Sequence, residues 1–159
     1  MKNKLYIMVG CPGSGKSIYA KKYLSDAVYI SRDDIRFSLV KENEEYFSKE
    51  KEVFKVFINK INNELQNGHD VVADATHLNP SSRFKLLVNL DLNKDKTEVV
   101  AIFIRVPLSI CLKQNENRKG TRSYVPKSVI KRMHYSLVPP NTEECYGLID
   151  VIHTITPGR

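Results

Sequence analysis

The sequence predicts an α/β domain: a five-stranded parallel β-sheet with helices on both faces. Short runs of continuous apolar residues alternate with segments of helical periodicity from end to end. Those runs lack the polar alternation of strands that face water on one side, so they read as strands covered on both faces. A glycine-rich segment joins the first apolar run to the first helical one, as a ligand loop does at the carboxyl end of a parallel strand.

Leu5–Val9 forms the first strand, and a helix covers about Lys16 to Ser25. Ala27–Ile30 is the second strand, followed by a short helix from about Arg32. A long amphipathic helix spans roughly Tyr46–Gln66, because Phe54, Phe57, Ile58, Ile61 and Leu65 recur at helical spacing. Asn67-Gly68 supplies its left-handed stop. Val71–Ala73 is the third strand. Asn79-Pro80 then combines an N-cap with proline at the first helical position, opening a helix to about Leu90. Glu98–Val106 is the fourth strand, with a helix from Pro107 to about Asn115. After an irregular basic stretch, Asn117–Tyr124, Pro126 opens a helix whose Val129, Ile130, Met133 and Leu137 face inward. Asp150–Ile155 closes as the fifth strand. The polar clusters that follow strands one, two and three should lie along one rim.

A chain of 159 residues holds one core of ordinary size, so a single domain over residues 1–159 is expected. Apolar residues make up 42% and charged residues 27%, which excludes a disordered chain. The longest apolar runs are too short to span a bilayer, and the first strand runs into a glycine loop rather than a cleavage site. A cytoplasmic protein without membrane association is therefore expected. Cys11, Cys111 and Cys145 are odd in number and lack metal-type spacing, the pattern of free thiols in a reducing compartment. The net charge of +7 favours polyanionic partners, polyphosphate or nucleic acid, although a lysine-rich soluble surface gives the same balance.

Gly10-Cys11-Pro12-Gly13-Ser14-Gly15-Lys16-Ser17 satisfies G-x-x-x-x-G-K-[ST] at every fixed position, between a strand and a helix as that motif requires. This is a P-loop. Its glycines let successive backbone N–H groups converge on a phosphate at the helix N-terminus. Lys16 is expected to reach the β- and γ-phosphates of ATP, and the Ser17 hydroxyl to hold Mg²⁺. A guanine-reading N-K-x-D is absent, since Asn59-Lys60 and Asn93-Lys94 both lack the aspartate. The third strand ends Asp74-Ala75-Thr76, with alanine where a motor ATPase has a water-activating glutamate. Transfer to an acceptor is therefore favoured over hydrolysis.

Ser31-Arg32-Asp33-Asp34-Ile35-Arg36 follows the second strand. Ser31 with Asp34 fits a capping box, which leaves Asp33 and Arg36 on one helix face three positions apart. At the rim, Asp33 can orient an acceptor hydroxyl and take its proton, and Arg36 can grip an acceptor phosphate. A surface ion pair is the structural alternative. Asn115-Glu116-Asn117-Arg118-Lys119-Gly120-Thr121-Arg122 suits a lid, about residues 116–125, that brings a cation onto the transferred group. A solvated basic loop has the same composition. His77 and His134 are expected in packing or surface roles, and His69 and His153 lack metal spacing.

The phosphate loop with Cys-Pro, the segment 31–36, Asp-Ala-Thr-His-Leu-Asn-Pro-Ser-Ser-Arg (74–83), Asn-Glu-Asn-Arg (115–118), Val125-Pro126 and Arg132-Met133 occur in one order. Together they resemble the kinase domain of the bacteriophage polynucleotide 5′-kinase/3′-phosphatase family, over residues 4 to about 155. The resemblance implies an adenylate-kinase-like P-loop kinase fold with strand order 2-3-1-4-5 and a short lid. It implies Asp33 as general base, Arg36 on the acceptor's 3′-phosphate, Asp74 and Thr76 in substrate binding, and Arg118 on the ATP phosphates. The lid begins Gln114-Asn115 where the family has Arg-Asn, and it is longer, so Lys119 or Arg122 can share the role of Arg118. No phosphatase half is present, so 3′-end trimming is not expected. The function implied is an ATP- and magnesium-dependent kinase for the 5′-hydroxyl of DNA or RNA. A small-molecule kinase acting on a nucleoside, sugar or antibiotic is the alternative in the same fold, and a nucleotide-binding protein without transfer activity the alternative outside it.

Overall fold

The computed structural model describes residues 2–144 and 147–153. Five strands, β1 (Asn3–Val9), β2 (Val28–Ser31), β3 (Val71–Asp74), β4 (Thr97–Ile104) and β5 (Leu148–Ile152), pair in the order β2-β3-β1-β4-β5, every pair parallel. This is the implied order. Helices α1 (Lys16–Tyr23), α2 (Arg32–Leu39), α3 (Glu50–Gln66), α4 (Pro80–Asn89), α5 (Leu108–Glu116) and α6 (Lys127–Ser136) connect or flank them.

The period-two geometry of the central strand splits the core into two layers. Leu5, Ile7 and Val9 of β1 pack with Val53, Phe57 and Ile61 of α3 and Leu86 of α4. Met8 packs with Ala20 of α1, Cys111 of α5 and Ile130 of α6 on the opposite face. Phe57 and Ile61 are fully buried, and burying each such side chain stabilises by roughly 1.5–3 kcal/mol.

Register sets the rim. Met8 and Ser31 both stand opposite Asp74, so β1, β2 and β3 end at nearly one level and release their following loops on the same side. One helix stop and one helix start act as expected. Gly68 adopts a left-handed φ of 84° after α3, and Asn79 caps α4 through a full capping box with Ser82, with Pro80 in the first turn. Ser31 caps α2 by accepting from the Asp34 N–H at 3.2 Å, which is half of the expected box.

Several elements differ from their sequence-based bounds; β1, for one, begins at Asn3, two residues early. The long helix starts at Glu50 rather than Tyr46, and residues 46–49 form a turn. The Tyr46 hydroxyl is bound to Asp33 and Arg36 of α2, which pulls this segment out of the helical path. The fifth strand begins at Leu148, two residues early, because Leu148 already pairs with Val100. Its expected end at Thr154 and Ile155 lies outside the described residues, as does Cys145. The fourth strand stops at Ile104, before Arg105 and Val106. Cys11 and Cys111 are free and buried. Among the described residues, no helix is long and apolar enough to cross a membrane.

Candidate active site

β1 delivers the phosphate loop. The Gly10 N–H donates to the Thr76 carbonyl at 3.0 Å and the Ser14 N–H to the Cys11 carbonyl at 3.1 Å. Gly13 and Gly15 take left-handed φ values of 81° and 92°, and α1 begins at the next residue, Lys16. A Cβ on Gly13 would stand 2.5 Å from the Cys111 carbonyl oxygen, so only glycine fits between this turn and α5. Pro12, Lys16 and Ser17 line a cleft of about 710 Å³. Gly10, Cys11, Gly13, Ser14 and Gly15 do not line it and contribute the loop's backbone course. Burial, and then the neighbouring Cys111, push the Cys11 thiol up to about 12 against the pull of Lys16, so it stays protonated at neutral pH.

At the end of β3, Asp74 is 4% exposed. Its Oδ2 accepts the Ser17 hydroxyl hydrogen at 2.5 Å and that of Tyr29. Its Oδ1 is buried with no hydrogen-bond partner among the described residues. An unpaired buried carboxylate oxygen is costly, and a nearby cation offsets that cost. Because Ser17 gives its hydrogen to Asp74, its oxygen lone pairs remain available. Mg²⁺ takes one or two side-chain oxygens and completes its shell with phosphate oxygens and water, so Ser17 and Asp74 fit it. Burial first, and the Asp74 charge second, raise the Tyr29 phenol well above its ordinary range and keep it a donor. Among the described residues, no group of three or more His, Cys, Asp or Glu is placed to hold a metal. Asp74, expected on the acceptor side, sits against the phosphate loop.

The wall expected to face an acceptor is assembled from α2, the turn at 46–49 and α3. Asp33 lies in the first turn of α2 with its side chain 58% exposed, and it lines the cleft. Its Oδ1 accepts from Arg36 Nη1 at 2.5 Å and from the Tyr46 hydroxyl at 3.1 Å, while Oδ2 carries no bond among the described residues. Arg36 is only 6% exposed. Its Nε donates to Glu50 Oε1 at 2.5 Å, its Nη1 also reaches the Tyr46 hydroxyl at 3.0 Å, and Cζ stacks 4.6 Å from the Tyr46 ring centroid. The expected ion pair therefore exists, but its cation is buried and anchored. Nη2 carries no bond among the described residues. Burial alone would raise the Glu50 carboxyl; the hydrogen bond and charge of Arg36, helped by Arg32, hold it below the ordinary carboxylate range. Burial and then Asp33 push the Tyr46 phenol up to about 12.

The lid closes the third side. Asn115, fully buried at the end of α5, donates to the Val125 carbonyl at 2.5 Å and accepts from its N–H at 2.9 Å, which pins the two ends of the loop together. Arg122 lines the cleft, but its guanidinium donates to the Phe37 carbonyl at 3.0 Å and to that of Val40, and Cζ stacks 4.8 Å from the Phe37 ring. It straps the lid onto the C-terminal end of α2. Arg118 also lines the cleft and has no side-chain partner among the described residues. Lys119 is exposed and does not line it. Of the three lid cations, Arg118 is the one left free to face a phosphate.

Pro12, Lys16 and Ser17 of the phosphate loop, the aspartate beside that serine, the partly exposed Asp33 and the cations Arg118 and Arg122 thus line one cleft. The family profile described as AAA domain (AAA_33) matches residues 5–140. The chain belongs to this family. Its fold is the α/β P-loop kinase-like fold, with the ATP site that this fold implies. The L-seryl-tRNA(Sec) kinase of Methanococcus maripaludis is 31% identical over 154 residues, covering 92% of this chain. This chain spans 57% of that relative's length. Among solved structures, the Pnkp1/Rnl/Hen1 RNA repair complex matches with a TM-score of 0.73 at 24% identity, over 86% of this chain and 44% of the matched chain. A sugar kinase from Janibacter sp. HTCC2649 matches with a TM-score of 0.66 at 13% identity, over 96% and 86%. These two likenesses are likenesses of fold.

In this AAA-domain protein several site residues were not legible from spacing. Glu50, Tyr46 and Tyr29 bind functional candidates across |i−j| separations of 14, 10 and 45 residues, which no local pattern reports. Thr76, expected in substrate binding, lines the cleft and also holds Gly10 through its carbonyl. His77 is buried, with a φ of 46°, and its Nδ1 lies 2.7 Å from the Met8 carbonyl oxygen, which it donates to. Burial pulls its pKa down to about 4, so at neutral pH it is an uncharged packing residue, as expected. Arg83, fully buried, donates to the His77 carbonyl at 2.7 Å and makes two bonds to Glu144, at 2.6 and 3.1 Å. The Asp-x-Thr segment is thereby braced from behind.

Proposed function

We propose that this kinase transfers the γ-phosphoryl group of ATP to a 5′-hydroxyl at the end of a DNA or RNA strand. The lone pair of the acceptor oxygen forms the new bond to the γ-phosphorus, the bond from that phosphorus to the bridging oxygen of ADP breaks, and the hydroxyl proton passes to Asp33. The free Oδ2 of Asp33 is the proton acceptor, and the bonds to Oδ1 from Arg36 and Tyr46 hold it in place. Lys16 and Arg118 spread the charge of the transferred group. Ser17, with Asp74 behind it, would hold Mg²⁺, which would supply positive charge against the phosphates. Residues 1–159 act in this reading as one kinase domain.

The observation that carries the acceptor assignment is Arg36. Its guanidinium is buried and fixed by Asp33, Glu50 and Tyr46, with Nη1 on the Asp33 carboxylate and Nη2 without a bond among the described residues. A cation fixed one short span from the reacting hydroxyl matches an acceptor that carries a phosphate there, as the terminal nucleotide of a strand does and a free sugar does not. The +7 balance supports the same class.

The 31% identity to an L-seryl-tRNA(Sec) kinase favours a second reading, in which the acceptor hydroxyl sits on an amino acid carried by a tRNA. A labelled-ATP assay over 5′-hydroxyl DNA and RNA oligomers, seryl-tRNA, nucleosides and gluconate separates the readings. Label on the 5′ ends supports the proposal. Label only on seryl-tRNA replaces the acceptor with the second one, and label only on small molecules overturns both.

A further inference from the structure

The turn at residues 46–49 presents two aromatic rings, and Phe47 leaves more of its surface exposed than Tyr46 does. Tyr46 spends its hydroxyl on Asp33 and its face on Arg36. Phe47 packs edge-on against it, centroids 4.6 Å apart at 86°, with the Arg36 Cζ 5.6 Å from its own centroid, yet it is 60% exposed and lines the cleft. The other phenylalanines of the cleft are committed. Phe57 is fully buried, and Phe54 lies under Arg32 and Lys85. Phe47 is thus an apolar ring held next to the Arg36 cation, in the cleft that Asp33 also lines, with much of its surface in water. Every nucleobase offers a flat π-face to such a ring, whatever its sequence.

We propose that Phe47 is the stacking surface for the nucleobase of the acceptor's terminal nucleotide. The inference rests on the 5′-hydroxyl reading and deepens it: Asp33 takes the hydroxyl, Arg36 the adjoining phosphate and Phe47 the base. Selectivity for nucleic acid then comes partly from a ring that discriminates between a base and no base while tolerating any base.

The test compares two 5′-hydroxyl oligomers that differ only at the first nucleotide, one carrying a base and one a stable abasic sugar. With the normal oligomer, Phe47→Ala should lower kcat/KM by ~10-fold or more, chiefly through KM. With the abasic oligomer the same substitution should change it by less than about twofold, because the stacking partner is already gone. Phe47→Trp, which keeps a π-face, should stay within about threefold of the wild type on the normal oligomer. An equal loss on both oligomers would mean that the ring only braces Arg36, and no loss on either would mean that it is idle; each result overturns the proposal. If the wild-type protein phosphorylates neither oligomer, the 5′-hydroxyl reading itself has failed and this inference goes with it.

Discussion

Eight consecutive residues, Gly10 to Ser17, make the phosphate loop, whereas the acceptor wall draws Asp33 and Arg36 from α2, Tyr46 and Phe47 from a turn, and Glu50 from α3. The loop works through backbone course. Gly13 and Gly15 hold φ values that other residues avoid, and Gly13 has no room for a Cβ against Cys111. The wall works through side-chain pairing, where each group is held by two or three others. A contiguous backbone device is all-or-none and transferable between proteins. A wall of paired side chains, by contrast, can change one partner at a time.

Substitutions on the two sides should therefore separate in kinetics. The largest effect is expected at the loop: Lys16→Ala should lower kcat by ~10²–10³-fold with an unchanged melting temperature, as removal of a preorganised charge does. Asp33→Asn should lower kcat by ~100-fold or more while Mg-ATP affinity, measured by titration calorimetry, stays near normal. A collapse of nucleotide affinity would instead tie Asp33 to the donor side and erase the distinction. Glu50→Gln should be milder, because Glu50 is partly exposed: roughly tenfold in kcat/KM for the acceptor, with the KM for ATP unmoved. In the lid, Arg118→Ala should reduce kcat more than Arg122→Ala, since Arg122 is occupied by the Phe37 and Val40 carbonyls.

The smallest effect concerns stability. The folded His77 pKa is depressed to about 4, so between its ordinary value near 6.5 and that figure the unfolded chain binds the extra proton. Its contribution is full above pH ~6.5 and is lost as pH falls toward 4. His77→Asn, which tolerates the positive φ, should flatten the fall of melting temperature between pH 7 and 5.

Much of this fold was legible because its central strands are buried on both faces and therefore read as plain apolar runs. The exposed edge strand β5 was the least legible: Leu148 and Val151 face water, so hydrophobicity did not mark its start. The phosphate loop could be read residue by residue, since consecutive residues build it. Asp33 and Arg36 could be found because they share one helix face. Their third partner, Glu50, could not, because on α3 it reads as one more polar residue of the outer face. The turn at 46–49 was hidden for the same reason. Helical periodicity continues through Phe47, and only the distant anchors on α2 break it.

Burial of Arg36 also decides which test of the acceptor is cleanest. Replacing it would disturb Asp33, Glu50 and Tyr46 together, so the probe belongs on the substrate. The decisive measurement is kcat/KM of the unmodified kinase for a nucleoside 3′-monophosphate against the same nucleoside without phosphate. One charge-assisted contact is worth roughly 1.5–3 kcal/mol, so the 3′-phosphate should improve kcat/KM by ~10-fold to 100-fold. Longer 5′-hydroxyl oligomers should improve it further, with a gain that falls steeply as salt is added. Equal use of nucleoside and 3′-nucleotide, with no salt-sensitive gain from length, would contradict the nucleic-acid reading of the acceptor site.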